Sequence, residues 1–285
     1  MILAVFNCKG KVRFLPGIEK AIQDKFPGEK IEVLKPKTMS VLTDAVRDAK
    51  DNKYSMVIVG GGDGTISLAS SILNYSEVPL MAIPLGTVNA FAKNFNIPKE
   101  PAAAVKYYDV NRMKKIDTGI VNGHFFLNFM SIGIDAFAVH LMNEKIKKSI
   151  GRFAYIISGI RGLLNNAFIH PFTIGQEEYF HCIVSNVKNY AGYDIFADAD
   201  SQDGEMSYTL HDSKQILSTL VWAYELANGK VKEFNRLGLD NDLIIEHEKP
   251  LKIQIDGEPV VFDKLNTAKN KLVIKVQKQS LKIFY

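Results

Sequence analysis

The sequence predicts an N-terminal α/β domain built on a parallel sheet, followed by a mainly antiparallel β-sandwich domain with helical insertions. Three observations carry this. Up to about Asn111, short runs rich in Val, Ile and Leu alternate with helical patterns. Beyond it, strand-like segments follow one another, and Asn122-Gly123 separates two of them as a hairpin turn would. Glycine-rich turns also stand directly after two of the early apolar runs, where a parallel sheet places its ligands.

Taken in order, Ile2 to Phe6 reads as a strand, and Pro16 to Phe26 as a helix with Ile18, Ala21, Ile22 and Phe26 on one face. Ile31 to Leu34, Met56 to Val59 and Leu80 to Ile83 are further strands, and Val41 to Lys50 a second helix. Ile66 to Leu73 can start another helix. Strands separated by helices in this way imply a parallel sheet covered on its faces. In the second part, Ile116 to Val121, Phe125 to Met130, Phe172 to Ile174, Tyr179 to Val187 and Met206 to Leu210 read as strands. So do Leu243 to Glu246, Leu251 to Ile255 and Leu272 to Val276. Helical stretches interrupt them at Ala136 to Leu164 and Lys214 to Asn228. The expected domains are residues 1–118 and 119–285, with the extreme C-terminus packing back on the first.

Composition narrows the class. A chain of 285 residues that is 47% hydrophobic and 23% charged is globular and buries a substantial core. The net charge of +4 suits phosphate ligands or an anionic surface without implying a nucleic-acid partner. Cys8 and Cys182 are far apart, and with no signal peptide they are expected as reduced thiols in the cytoplasm. The longest apolar stretch, Phe153 to Leu164, is interrupted by Arg161 and is too short to span a bilayer.

The chemistry is expected at the two glycine turns. In MVIVGGGDGT, Met56 to Thr65, a strand breaks into glycines before a helix, so backbone N–H groups can approach an anion closely. Asp63 adds a carboxylate within that turn. The next strand is followed by PLGTVN, which brings Gly86, Thr87 and Asn89 beside the first loop. Two such loops can cradle an oligophosphate from two sides. Neither matches GxxxxGK[ST] or GxGxxG, which excludes a P-loop and disfavours a dinucleotide dehydrogenase.

The pair GGDGT (61–65) and PLGTVNAFAKNF (84–95) resembles the diacylglycerol kinase catalytic domain, in its bacterial soluble lipid-kinase branch related to sphingosine and ceramide kinases. The resemblance continues through KKIDTGIVNGHFFLNFMSIGIDA (114–136), VSNVKNYAGYDIFADADSQDGEM (184–206) and IDGEPV (255–260). It implies an ATP-dependent phosphotransferase acting on a lipid hydroxyl, with ATP between the domains on the glycine loop. Asn7, Thr38, Gly61, Gly62, Asp63, Gly64, Thr65, Ile66, Ser67, Gly86, Thr87 and Asn89 would contact ATP. Asp63 would hold Mg²⁺, helped by Asp117. Asp256, or its neighbour Glu258, would take the proton from the lipid hydroxyl. Asp200, Asp203 and Glu205 match a segment that holds a structural Mg²⁺ in some members.

Several of these residues also have purely structural readings. Thr38 precedes a helix and fits an N-cap. Asp117 fits a turn or strand-edge acid, and Asp203-Gly204 and Asp256-Gly257 are ordinary hairpin dipeptides. The chain also departs from the family pattern. The usual NPxSG after the first strand is Asn7-Cys8-Lys9-Gly10, where Lys9 and Lys11 offer charge instead. Leu68 stands where a Glu is usual, and Ala90 replaces the Asp of GTxND, removing one carboxylate from the Mg²⁺ network. These departures leave open a catalytically impaired nucleotide- or lipid-binding regulator, and GGDGT alone leaves open a kinase of a soluble metabolite.

A lipid acceptor calls for a membrane surface. Lys145, Lys147, Lys148 and Arg152, followed by the apolar run to Leu164, suggest peripheral attachment, with a core helix that has a solvated charged start as the plain alternative. Phe125, Phe126, Phe129, Tyr190 and Tyr193 are candidates for an acyl-chain cleft or for ordinary core. The acceptor and the oligomeric state are not written in the sequence.

Overall fold

The computed structural model describes residues 1–7, 15–141, 169–190, 192–231, 234–260 and 270–285, and everything below concerns these. Lys9, Lys11 and the segment 145–164 with its basic cluster lie outside them. The chain forms two units, one of residues 1–116 and 279–285, the other of residues 117–278.

In the first unit, β1 (Ile2–Phe6), β3 (Met56–Gly61) and β4 (Leu80–Pro84) are buried at every residue. That is why their sequences are unbroken apolar runs: helices cover both faces of a parallel sheet. Strand β2 (Ile31–Leu34) is only partly buried, as an edge strand should be. The order is β2-β1-β3-β4, every pair is parallel, and Ile283 near the C-terminus pairs with Leu80 on the far side of β4. Helix α1 (Leu15–Lys25) packs on α5 (Pro101–Tyr107), and crossovers of the usual right hand set this pair on one face. On the other face α2 (Met39–Asp51) packs on α3 (Asp63–Leu73). Helix α4 (Ala90–Asn94) is a short turn after β4. In this order the chain leaves β1 in one direction and later returns to its other side, so the crevice at the carboxyl ends of β1 and β3 is the topological switch point.

The second unit packs two antiparallel arrays around one core. One array runs β14 (Asn235–Leu237), β13 (Met206–His211), β10 (His181–Ser185), β7 (Phe129–Ile132), β16 (Ile253–Ile255), β17 (Glu258–Val260). The other contains β9 (Glu177–Tyr179), β8 (Phe172–Ile174), β15 (Leu243–Glu246) and the first part of β18 (Lys271–Phe284), with β5 (Met113–Val121) and β6 (His124–Phe126) beside it. Met130, Cys182, Val184 and Ile253 from the first array meet Phe172, Ile245, Leu272 and Ile274 from the second. Helix α6 (Ile134–Leu141) follows β7, and α7 (Ile216–Ala227) follows β13. A small hairpin pairs β11 (Asn189–Tyr190) with β12 (Tyr193–Asp194).

The fold class is the predicted one, an α/β unit and a unit of packed antiparallel strands. Several elements differ from expectation, among them β18, which runs on to Phe284 where the pattern predicts Leu272 to Val276. Helix α3 starts at Asp63 instead of Ile66, because Gly62 acts as its N-cap. The expected strand Phe125 to Met130 divides into β6 and β7, and Tyr179 to Val187 into β9 and β10. Of the helical stretch Ala136 to Leu164, only α6 lies within the described residues.

Candidate active site

The glycine loop of the first unit is shaped by close approach. A Cβ added to Gly86 would lie 2.7 Å from the Cα of Gly62 and 2.6 Å from Oδ1 of Asn89. The backbones of the two loops therefore touch, and only hydrogen side chains allow it. The Leu85 N–H donates to Gly61 O at 2.8 Å, which ties the loops again one residue away. Asn89 adopts left-handed backbone (φ 53°), accepts the Gly86 N–H at 2.8 Å and donates back to Gly86 O at 3.1 Å. Its side chain thus substitutes for a turn of backbone and fixes the second loop.

Gly62, Asp63 and Gly64 form the cap and first turn of α3. The first N–H groups of a helix lack intrahelical acceptors and carry the positive end of its dipole, so an anion is stabilised there. Gly64 and Thr87 are exposed, Asp63, Ser67 and Gly86 half-buried, and Ile66 is buried, so Ile66 offers a ligand only its backbone. The Asp63 carboxylate accepts the Phe91 N–H at 3.4 Å from α4. Asn7, at the end of β1, donates its side-chain amide to Thr65 Oγ1 at 2.9 Å and its backbone N–H to Gly60 O at 2.8 Å. Asn7 also donates to Met39 Sδ at 3.4 Å, while Thr38, exposed, caps α2 by accepting the Val41 N–H at 3.3 Å. The structure thus gathers Asn7, the residue after Thr38, the loop 61–67 and the loop 86–89 around the switch point.

The acidic residues of the second unit are anchored differently. Asp256 and Gly257 form a two-residue turn with φ of 49° and 80° between β16 and β17. The Asp256 carboxylate is buried and accepts the N–H groups of Leu127 at 2.8 Å, Asn128 at 2.8 Å and Phe129 at 3.2 Å. Glu258 is exposed. Asp117 is fully buried and accepts the Gly204 N–H at 2.7 Å, while its carbonyl takes the Asn186 amide at 2.6 Å. Asp200 and Asp203 turn their carboxylates to their own backbone, accepting from Gln202 N–H at 3.1 Å and Glu205 N–H at 2.9 Å. Among the described residues no three His, Cys, Asp or Glu side chains converge as a metal cluster would. Asp63 meets a lesser requirement: Mg²⁺ that arrives with a nucleotide needs one or two carboxylates besides phosphate oxygens and water.

Behind the Asp256 turn lies a buried polar network that sequence reasoning missed. Asp135 Oδ2 accepts from both the Ser131 and the Tyr190 hydroxyls. Gln254 donates to Ser131 Oγ at 2.9 Å and accepts the Gly257 N–H at 2.7 Å. Burial pushes the Asp135 carboxyl above the usual range, against the opposing pull of its two hydroxyl donors. Burial, followed by the neighbouring Asp135 charge, pushes the Tyr190 hydroxyl well up, and the Tyr190 ring lies 4.6 Å from that of Phe129. Only the four-residue spacing of Ser131 and Asp135 is visible in sequence; the other partners are distant.

Residues 3–121 match the diacylglycerol kinase catalytic domain. A protein of Pseudomonas aeruginosa named "Probable lipid kinase YegS-like" is 30% identical over 229 residues, 77% of this chain and 75% of its own length. The chain belongs to the diacylglycerol kinase catalytic-domain family. It is therefore a kinase of the diacylglycerol-kinase-like family. An Alcanivorax borkumensis protein, also named "Probable lipid kinase YegS-like", is 28% identical over 232 residues, 75% of this chain and 76% of its own. A crystal structure described as a diacylglycerol kinase from Bacillus anthracis superposes with a TM-score of 0.74, covering all of this chain and 96% of the other at 21% identity. That likeness speaks for the fold.

Proposed function

We propose that this kinase transfers the γ-phosphoryl group of MgATP to a lipid hydroxyl, with diacylglycerol as the default acceptor and a sphingoid base or ceramide as alternatives. The observation that carries the reading is the contact of Gly62 with Gly86 at the N-terminus of α3, at the switch point of the first unit's sheet. That cradle suits the β and γ phosphates, and Asp63 there suits Mg²⁺, which neutralises charge on the transferring group. In the reaction the acceptor oxygen forms a bond to γ-phosphorus, the bond to the β,γ-bridging oxygen breaks, and the acceptor proton passes to a carboxylate. The enzyme would work in the cytoplasm at a membrane surface; no helix among the described residues is long and apolar enough to cross one.

The carboxylate that takes the proton is Asp256 in this reading, held rigid by the three amides of residues 127–129. Glu258, exposed two residues on, is the competing candidate. Asp256→Asn places an NH₂ group against amides that now donate to a carboxylate, so it should lower turnover at least about a hundredfold and also loosen the turn. Glu258→Gln should leave both turnover and ATP binding near wild type. Loss of turnover in Glu258→Gln, with ATP binding retained, would reassign the base.

One observation favours a second reading. Ala90, buried in the first turn of α4, adjoins Phe91, whose N–H reaches Asp63. Residue 90 itself therefore brings no second carboxylate there. A regulator that binds ATP and transfers nothing would be recognised by saturable ATP binding without product from any lipid.

A further inference from the structure

Helix α7 of the second unit carries its apolar residues on the outside. Leu217 is 75% exposed, Leu220 44%, Val221 48% and Tyr224 57%. Their spacing of three and four residues puts them on one stripe. Thr219 and Leu226, on the opposite face, are almost fully buried. A surface helix ordinarily turns charge to water along its outer face. Here that face carries none: Glu225 is half-buried at its flank, and Asp212 precedes the helix.

The orientation is pinned from within. The Trp222 ring stacks on His211 at 5.0 Å and on His181 at 5.7 Å. Thr219 Oγ1 donates to Ser213 O at 3.3 Å and lies 3.4 Å from His181 Nε2. The helix is therefore anchored through its inner side, with its apolar stripe directed outward.

Lysines bracket the stripe. Lys214 lies just before the helix, its ammonium 5.8 Å from the Phe180 ring, and Lys230 lies just after it, 4.9 Å from the ring of Tyr224. Both lysines are exposed. We propose that the outer face of α7 docks on an anionic lipid bilayer, the stripe entering the headgroup boundary and Lys214 and Lys230 meeting lipid phosphates. An apolar face with basic ends is the chemistry of a helix that lies in a membrane interface. A second copy of the chain fits less well. Antiparallel pairing of two α7 helices sets Lys214 of each against Lys230 of the other, and parallel pairing sets like lysines together.

This surface goes beyond the proposed reaction and rests on its lipid acceptor only for its purpose, so the test separates the two. Full-length protein is sedimented with vesicles of phosphatidylcholine, with and without phosphatidylglycerol. Wild type should sediment with the anionic vesicles. The Leu217→Gln/Val221→Gln/Tyr224→Gln variant should partition about tenfold more weakly or less. Lys214→Glu/Lys230→Glu should lose the preference for anionic lipid. On diacylglycerol dispersed in detergent, the triple variant should turn over within about twofold of wild type, while turnover on vesicle-embedded diacylglycerol falls with binding. Triple-variant sedimentation equal to wild type overturns the proposal. So does a wild type that ignores anionic vesicles, or one that is a dimer dissolved by the triple substitution and binds no vesicle. Wild-type docking through this face without phosphorylation of any lipid upholds the surface and overturns the lipid-kinase reading.

Discussion

Gly86 carries more of the site than its size suggests. Its missing side chain is what lets the second loop touch Gly62, and Gly86→Ala would force a methyl group to 2.7 Å from the Gly62 backbone. Backbone cannot swing aside as a long side chain can, so the loops must part. Nucleotide affinity, measured by calorimetry with MgATP, should fall at least about tenfold, and the melting temperature should drop by a few degrees. Two buried titratable residues make predictions of opposite sign. Burial holds His181 near a pKa of about 3, and its Nδ1 accepts the Ile134 N–H at 3.1 Å, which requires the neutral ring. Unfolding frees the ring to take a proton below its ordinary value of 6.5. Stability should therefore rise with pH between about 3 and 6.5, with a slope approaching ~1.4 kcal/mol per unit from this residue. His181→Gln should remove that slope in thermal melts across the range. Asp135 is raised instead, so the folded state keeps its proton where the unfolded state has lost it. Stability from that group is greatest below the ordinary carboxylate value and is lost as pH rises through the raised one. Asp135→Asn should abolish that decline.

At the level of elements, the buried strands and the two glycine loops were legible because their reasons are local. A strand covered on both faces must be apolar throughout, and β1, β3 and β4 are. What escaped was set by distant partners. Asp63 and Gly64 are poor helix formers, so the sequence suggests a turn; capping by Gly62 and packing of Ile66 and Ala69 draw them into α3. Strand β18 runs through a polar middle that conceals its length, and Gln279 within it has a φ of 46°. Asp135 finds Tyr190, and Gln254 finds Ser131 and Tyr190, only after folding. Of the acids singled out in sequence, Asp117, Asp200 and Asp203 accept backbone N–H groups, from Gly204, Gln202 and Glu205 in turn, which only the folded backbone reveals. Helix α4 supplies the test of the site's missing acid. Ala90→Asp puts a carboxylate one residue from the Asp63 contact. It should tighten the Mg²⁺ requirement of turnover about tenfold, read from a Mg²⁺ titration of rate at fixed ATP.

Along the full chain, the first unit holds a glycine cradle at a helix N-terminus, the second unit by itself holds a buried, hydrogen-bonded Asp-Gly turn, and the chain belongs to a family of kinases. The proposed roles rest on each unit taken by itself: helix dipole and glycine contact for a nucleotide, a carboxylate fixed by three amides for an acceptor proton. Family membership makes the chain a kinase, and the lipid acceptor proposed for it is open to direct test. The most direct measurement is incubation of the purified chain with γ-labelled ATP, Mg²⁺ and a panel of detergent-dispersed diacylglycerol, sphingoid base and ceramide. Label in one lipid product, lost in Asp63→Asn, is the predicted result. Label in none of them, with ATP bound or spent elsewhere, would contradict the account.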